Sequence, residues 1–375
     1  MSSRRLRPDL QRGFTQVVGV GGIGTGTIFA LQGNHTLGRN ESRMGALVDA
    51  RDYCKLHIVE HYLAALLDLH GSSDTCRVVA VGNVGADPAG ATLIREMDAI
   101  GIDTRYVRVE PGCRTMSSVV FLYPDKSGGN ITASNSAASK LSPDQIAECR
   151  HLLERAGSHG VALCLPEAPL DKRAGFLRVA TECGSYRVAS FASAEMQSAR
   201  ESKLLANVDL LALNRDEAIE FAGDALQGVG ENQLRDACAE MATSQNPSMN
   251  IVVSAGAEGT FVYSRGQWSK HRAIPMEATS TAGAGDALLA GTIAGLVAGL
   301  PLADSNKRDE TGKRSIDSAI GLGLALAAFS VTSPHTIHPD ATLESLLLFA
   351  EAKGFALSQS MTQIVTTDDT QIKAQ

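Results

Sequence analysis

The chain has no Cys-x-x-Cys pair, no long hydrophobic run and no stretch of Lys and Arg interleaved with aromatics. Each absence removes a class of protein. The seven cysteines, Cys54, Cys76, Cys113, Cys149, Cys164, Cys183 and Cys238, are scattered and odd in number, which opposes both a disulfide framework and a zinc site and fits a reducing compartment. The longest apolar stretch, Ala287 to Leu300, falls short of the roughly 18 residues that mark a membrane span. Met1 to Phe14 is polar and Arg-rich without the apolar segment of a secretion signal, so a cytoplasmic location is expected. With 41 acidic against 34 basic side chains the net charge is -7, and neither nucleic acid nor an anionic membrane is expected as a partner. What remains is an ordinary globular composition, 44% hydrophobic and 20% charged, in 375 residues that suffice for one large α/β domain or two smaller ones.

Short β-branched runs at Gln16–Val20, Arg77–Val81, Val161–Leu165, Arg187–Phe191, Val208–Leu213 and Asn250–Ser254 alternate with helical patterns. Those patterns cover Ile58–Leu69, Ala89–Ile100, Lys172–Cys183 and Leu234–Ala242, and then Asp286–Leu300, Ser315–Val331 and Leu343–Lys353, which close the chain as a helical cluster. The alternation predicts a mostly parallel sheet with helices on both faces. Tyr106–Val109 and Met116–Tyr123 alternate more strictly and flank turn-rich segments, so they predict an antiparallel, lid-like excursion. One domain is expected over 15–355, with lid-like segments around 24–48 and 104–135, a polar arm over 1–14 and a polar tail over 356–375. The charged insertion Ala303–Ser315 and the end of the tail read as solvated loops.

The most informative segment is Ser280-Thr281-Ala282-Gly283-Ala284-Gly285-Asp286-Ala287, a turn of small residues leading into an apolar helix. Glycines there let a ligand approach the backbone, and the amides of a helix start attract an anion. An Asp at that helix start is placed to accept a proton from an attacking hydroxyl, although an Asp capping a helix has the same spelling.

This segment resembles the D-T-x-G-A-G-D signature of the ribokinase-like, or PfkB-type, carbohydrate kinases, matching it at Thr281, Gly283, Ala284, Gly285 and Asp286. Three more matches follow the family's order. Gly82-Asn83-Val84-Gly85-Ala86-Asp87-Pro88-Ala89-Gly90 is similar to G-x-V-G-x-D-x-x-G, Asn214 to Glu217 to N-x-x-E, and Ser254 to Gly259 to the T-x-G-x-x-G nucleotide turn. The resemblance implies a three-layer α/β fold and an ATP-dependent kinase acting on a hydroxyl of a sugar or sugar-like substrate. It makes Asp286 the general base and the Gly283, Ala284 and Gly285 amides an anion hole. Asn214 and Glu217 would organise the phosphates, with Glu217 holding magnesium through water, while Ser254, Gly256, Gly259 and Thr281 would contact the nucleotide. Ser330 to Ile337, including His335, resembles the adenine-side segment and looks somewhat like that of pseudouridine kinases, which makes a nucleoside the alternative acceptor. A homodimer is compatible with this reading.

Two family elements are missing. Ser280 stands where the signature opens with an acidic residue that helps hold a monovalent cation, which puts potassium activation in question. The early Asp and the Gly-Gly-x-x-x-Asn element that bind sugar hydroxyls are also not found. In their place lies a polar stretch from Gly33 to Arg43, followed by Asp52, Lys55, His57 and His61, which reads either as a surface loop or as a remodelled acceptor site using Asn34, Arg39, Arg43 and His57. The missing contacts also leave open a catalytically silent binding protein. Two decoys complete the reading. Gly19 to Gly24 spells the dinucleotide fingerprint G-x-G-x-x-G but lacks the helix that should follow, and His57 to His61 spells the zinc motif H-x-x-E-H without an evident third ligand.

Overall fold

The computed structural model describes residues 4–9, 11, 13–70, 76–125, 127–223, 230–303 and 314–367. Most of the insertion expected over Ala303–Ser315 and the last residues of the tail lie outside them. Nine strands form the main sheet. From one edge to the other these are β14 (Gln267–His271), β13 (Thr260–Ser264), β12 (Asn250–Ser254), β11 (Leu210–Asn214), β10 (Tyr186–Ala189), β9 (Gly160–Cys164), β2 (Gln16–Val20), β5 (Arg77–Gly85) and β6 (Asp103–Glu110). From β12 to β6 every neighbouring pair is parallel, and β13 and β14 add an antiparallel hairpin.

The strands read as unbroken apolar runs because both faces are covered. Val17 of β2 enters one core while Val18 and Val20 enter the other, and Leu163 and Cys164 of β9 divide in the same way. The first core is closed by α1 (Lys55–Leu67), α2 (Pro88–Ala99), α8 (Ala284–Val297), α9 (Ala319–Ser330) and α10 (Leu343–Ala352). The second is closed by α3 (Pro143–Ala156), α4 (Leu170–Glu182), α5 (Ser193–Glu201), α6 (Arg215–Ala222) and α7 (Glu231–Gln245).

A separate four-stranded sheet runs β4 (Gly45–Tyr53), β3 (Gly24–Leu31), β7 (Met116–Leu122) and β8 (Gly128–Thr132). It corrects one expectation. Tyr106–Val109 does not join this sheet but lies in β6, parallel to β5, because Val107 packs on one main core and Tyr106 on the other. The termini differ from expectation too. Arg4–Leu6 forms β1 and pairs antiparallel with β17 (Val365–Thr367), with Leu6 fully buried, so the polar arm and tail are tied together. Between them α11 (Gln359–Ile364) inserts Met361 into the first core, and β15 (Arg314–Ile316) pairs with β16 (Phe355–Leu357).

The two decoy motifs are absorbed by packing. Gly19–Gly24 leads from β2 into β3 rather than into a helix, so it lacks the architecture of a dinucleotide site. His57, Glu60 and His61 lie on α1. His57 packs beside Tyr53 with ring centroids 4.5 Å apart, while a Cβ on Gly19 would collide with the Glu60 carboxylate. Burial lowers the pKa of His57 to about 3 and that of His61 to about 4, leaving both neutral at pH 7.

Helices α8 and α9 are apolar on all sides and approach each other through small residues. A Cβ on Gly291 would sit 2.7 Å from the Gly323 Cα, and one on Gly323 would sit 2.5 Å from the Leu288 carbonyl and Thr292 Oγ1. Gly323→Val should therefore destabilise the protein by about 1–3 kcal/mol in denaturant unfolding, and unchanged stability would show that the seam tolerates separation.

Glu60 generates a pH-dependent expectation. Burial raises its pKa well above the ordinary value of 4.5, so the folded protein keeps a proton that the unfolded chain releases. That contribution is fully present below pH 4.5 and is lost as pH rises toward the elevated folded value. Glu60→Gln should thus raise Tm more at pH 8 than at pH 5; equal shifts at both values would reject a titrating Glu60.

Candidate active site

The chain begins the main sheet at β2 in its middle, passes to β5 and β6 on one side, and returns to β9 on the other. Between β2 and β9 the winding direction reverses, and the carboxyl ends of the strands splay into a crevice there. Glu167 follows β9, Ser190 follows β10, Asn214 ends β11 and Ser254 ends β12. Lys55 and Asp286 are supplied by the starts of α1 and α8. A cavity of about 240 Å³ is lined by Lys55, Ser190, Asn214, Glu217, Ser254, Gly285 and Asp286, among others.

Asn214 and Glu217 form a reciprocal capping box. The Asn214 side chain accepts from the Glu217 amide at 2.8 Å, and Glu217 Oε2 accepts from the Asn214 amide at 2.8 Å. That capping leaves Glu217 Oε1 facing the cavity, 3.7 Å from Lys55 Nζ. The capping box therefore occupies one carboxylate oxygen and leaves the other to Lys55.

Asp286 stands in the first turn of α8, after Gly283 at φ 77°. A Cβ on Gly283 would approach the Thr336 carbonyl to 2.8 Å, so the turn needs glycine for both conformation and space. Burial raises the Asp286 pKa to about 6; Lys55 opposes the shift, whereas Glu167, Glu217 and Asp52 add to it. For Lys55, burial alone would lower the pKa, but Asp286, Glu217 and Glu167 outweigh it and hold the ammonium above its ordinary value. Glu167 Oε2 accepts from the Lys55 amide at 3.1 Å, and its backbone adopts a left-handed φ of 71°. Such a conformation in a non-glycine residue is unfavourable by about 1–3 kcal/mol and clusters at functional sites.

A second cavity, about 550 Å³, meets the first at Ser254, Gly285 and Leu288. Gly256, Gly259, Thr260 and Thr281 form part of its rim, and Ile274, Pro275, Met276, Leu324, Ala327 and Val331 give it apolar walls. An apolar slot ending at helix-start amides suits a planar base followed by phosphates. The sequence-selected residues Ser254, Gly256, Gly259, Thr281, Ala284 and Gly285 are thus brought together. Ala284 N–H bonds the Thr281 carbonyl at 3.3 Å, so it must exchange that partner to bind an anion. Ser280 Oγ accepts from the Ala282 amide at 3.2 Å.

His335 lies elsewhere. Its Nδ1 accepts from the Arg51 amide of β4 at 2.9 Å, tying the small sheet to the loop after α9. The acceptor candidates are likewise absent from the lining of both cavities. Asn34, Arg39 and Arg43 belong to the β3–β4 connection and line neither cavity. Asn34 Oδ1 accepts from the Asp125 amide at 3.2 Å, and Arg43 is bound to Glu41 and to the His35 carbonyl, each at 2.7 Å. His57 is buried in α1. Sequence reasoning missed Glu167, whose only signal is an acidic residue just after a strand end where the winding reverses, and grouped Lys55 with the loop rather than with Asp286.

A mostly parallel three-layer sheet with paired cavities at its switch point defines a ribokinase-like fold. A family model for "pfkB family carbohydrate kinase" matches residues 63–343, and the chain belongs to that family. It is 24% identical to a ribokinase of Haemophilus influenzae over 277 residues, 73% of this chain and 82% of the relative. It is 27% identical over 216 residues to an ATP-dependent ribose-1-phosphate kinase of Halopiger xanaduensis, covering 57% of this chain and 65% of the relative. The structure of ribokinase from Giardia lamblia superposes with a TM-score of 0.71 at 16% identity, covering 88% of this chain and 99% of that one. The protein is therefore a sugar kinase, a phosphotransferase of a family that uses ATP. Among the described residues no helix is long and apolar enough to cross a membrane.

Lys55 is the cation that faces Asp286, Glu217 and Glu167 together. Lys55→Met should lower kcat by about 10²- to 10³-fold, the usual effect of removing one preorganised charge partner. It should also move the acid limb of the pH profile upward, since Asp286 loses the group that lowers its pKa; an unmoved limb would separate Lys55 from Asp286.

Proposed function

We propose that the protein transfers the γ-phosphoryl group of ATP to a hydroxyl of a small sugar or sugar-like molecule, with Asp286 as general base. The observation that carries this reading is the junction of the two cavities at Gly285, beside Asp286. A nucleotide in the larger cavity would present its terminal phosphate at the α8 amides, and an acceptor in the smaller one would meet the carboxylate. In the transfer, the acceptor O–H gives its proton to the Asp286 carboxylate, the oxygen bonds the γ-phosphorus, and the bond to the leaving ADP oxygen breaks. The Gly283, Ala284 and Gly285 amides and Lys55 stabilise the charge that develops on the phosphoryl group.

A carboxylate with pKa about 6 is mostly ionised at pH 7 yet basic enough to take a proton late in the step. The Glu217 carboxylate, an oxygen donor facing the phosphate path, suits magnesium, and among the described residues no three His, Cys, Asp or Glu side chains group as a direct metal cage. Magnesium held by phosphate and water fits that donor set and would neutralise phosphate charge when bound. A cytoplasmic setting supplies ATP and matches seven free cysteines.

The test is turnover by purified protein with MgATP over a panel of sugars, polyols and nucleosides. Asp286→Asn keeps the shape and helix capping while removing the base, so kcat should fall about 10²- to 10⁴-fold with little change in ATP affinity or thermal stability. The parental kcat should rise with pH through about 6, as Asp286 ionises. Near-parental turnover in folded Asp286→Asn would reject the base, and ATP binding without turnover on any acceptor would indicate a binding protein. With Ser280 in place of an acidic residue, activity should be nearly independent of potassium at fixed ionic strength; strong stimulation would mean that another group supplies the cation site.

A further inference from the structure

The walls of the larger cavity have a character that the transfer chemistry does not use. Near the junction with the smaller cavity stand two hydroxyl residues, Ser254 at the end of β12 and Thr281 in the turn before α8. Beyond them the lining turns apolar. The segment after β14 supplies Ile274, Pro275 and Met276, and α9 with its C-cap supplies Leu324, Ala327 and Val331. Among the described residues that line this cavity there is no amide, imidazole or charged side chain.

A base edge is read by hydrogen-bonding groups, and the apolar end of the cavity has few to spare. The amides and carbonyls of Leu324 and Ala327 belong to the α9 ladder, and the Ala327 carbonyl also accepts from Ser330 Oγ at 2.8 Å. The Val331 carbonyl accepts from the amides of Thr279 at 2.8 Å and Ser280 at 3.4 Å, and Pro275 has no N–H to offer. Thr260 is the remaining polar side chain of the lining. It opens β13 opposite Ser254 of β12, is 1% exposed, and its hydroxyl has no hydrogen-bond partner among the described residues. A hydroxyl rotates to donate or to accept, so one turned toward a ligand pairs equally with an amino and a carbonyl group.

We infer that this kinase holds its phosphoryl donor by the phosphates and by the flat outline of a two-ring base, so that adenine, guanine and hypoxanthine nucleotides serve it alike. The physical ground is an asymmetry of recognition. Apolar walls separate ligands of similar shape by only about 10- to 200-fold, whereas a site built of hydrogen-bonding groups rejects a mismatched edge by about 10⁴-fold or more, because its own buried groups are left unpaired. The three purines share one ring outline and differ at their edges, which methyl and methylene groups do not tell apart. Their phosphates are identical and would meet the glycine turn and the start of α8. The inference rests on the proposed kinase reaction, in which this cavity takes the nucleotide. It widens the donor beyond the ATP that the name of the ribose-1-phosphate kinase relative gives for that protein.

The experiment is calorimetric binding of MgADP, MgGDP, MgIDP and MgUDP to the full chain, which needs no acceptor, followed by kcat/KM for ATP, GTP and ITP on an acceptor from the panel. The three purine diphosphates should agree in Kd within about 10-fold, and so should the triphosphates in kcat/KM. MgUDP should bind about 10-fold more weakly than MgADP, because one ring covers less of the apolar wall. Ala327→Leu, checked for parental Tm, narrows the slot and should weaken all three purines together by about 10-fold. Thr260→Val keeps the shape, removes the hydroxyl and should leave the ratio of ADP to GDP affinity unchanged. A larger preference for adenine would show that backbone groups of 273–278 read the base, a changed ratio in Thr260→Val would show that the hydroxyl reads it, and UDP as tight as ADP or parental affinities in Ala327→Leu would put the base outside the slot. Each of these overturns the inference and leaves the kinase reading intact. No binding by any nucleotide removes both.

Discussion

One ammonium group holds the site's charge in balance. Lys55 opens α1, where the helix dipole disfavours a cation, and no acidic residue occupies that first turn to compensate. Compensation comes from outside the helix, from Asp286 on α8, Glu217 on α6 and Glu167 after β9. Those carboxylates would in turn repel one another without the lysine. The starts of α1, α6 and α8 and the end of β9 are therefore bound electrostatically to a single point, and the shape of the crevice follows from that constraint.

Packing delivers Asp286 to this point. Helix α8 is buried along nearly its whole length, and its contact with α9 is close enough that glycine is required on both sides. A helix so confined cannot shift its first turn, which fixes Ala284 and Gly285 at the junction of the two cavities. The loop after α9 adds a second restraint, since the Thr336 carbonyl lies where a side chain on Gly283 would go. Thr336 also bonds the small sheet: its amide donates to the Arg51 carbonyl at 3.1 Å, and its hydroxyl accepts from the Tyr53 amide at 3.2 Å. The glycine turn before α8 and strand β4 are thus anchored to the same residue.

Two glycines between the end of β2 and the middle of β3 leave room for carboxylates. Gly22 and Gly26 stand where a side chain would collide with Glu167 and with Asp52, respectively. Carboxylates contributed by β4 and by the turn after β9 occupy the volume beside the first strand and its continuation.

The sequence by itself determined what local pattern can encode. β-Branched runs marked strands β2 and β12 at their observed ends, because strands buried on both faces tolerate little else, and the glycine turn before Asp286 marked the start of α8. Asn214, Glu217, Ser254 and Ala284 to Asp286 could be picked out in the sequence and come together around the two cavities because each ends a strand or starts a helix. Tertiary structure decided which charged residues reach the cavities. Arg39 and Arg43 have the composition of a binding loop, yet they line neither cavity, and nothing in the spelling of His57 to His61 shows that the core takes those side chains. Tyr106–Val109 alternates as an antiparallel strand would, and only the two cores on either side make it a parallel edge. Lys55, Glu167 and Asp52 are ordinary charged residues in sequence, separated by up to 115 positions. Strand register and winding direction bring them close enough for Glu167 to feel the charges of the other two, and neither quantity is carried by any local stretch of chain.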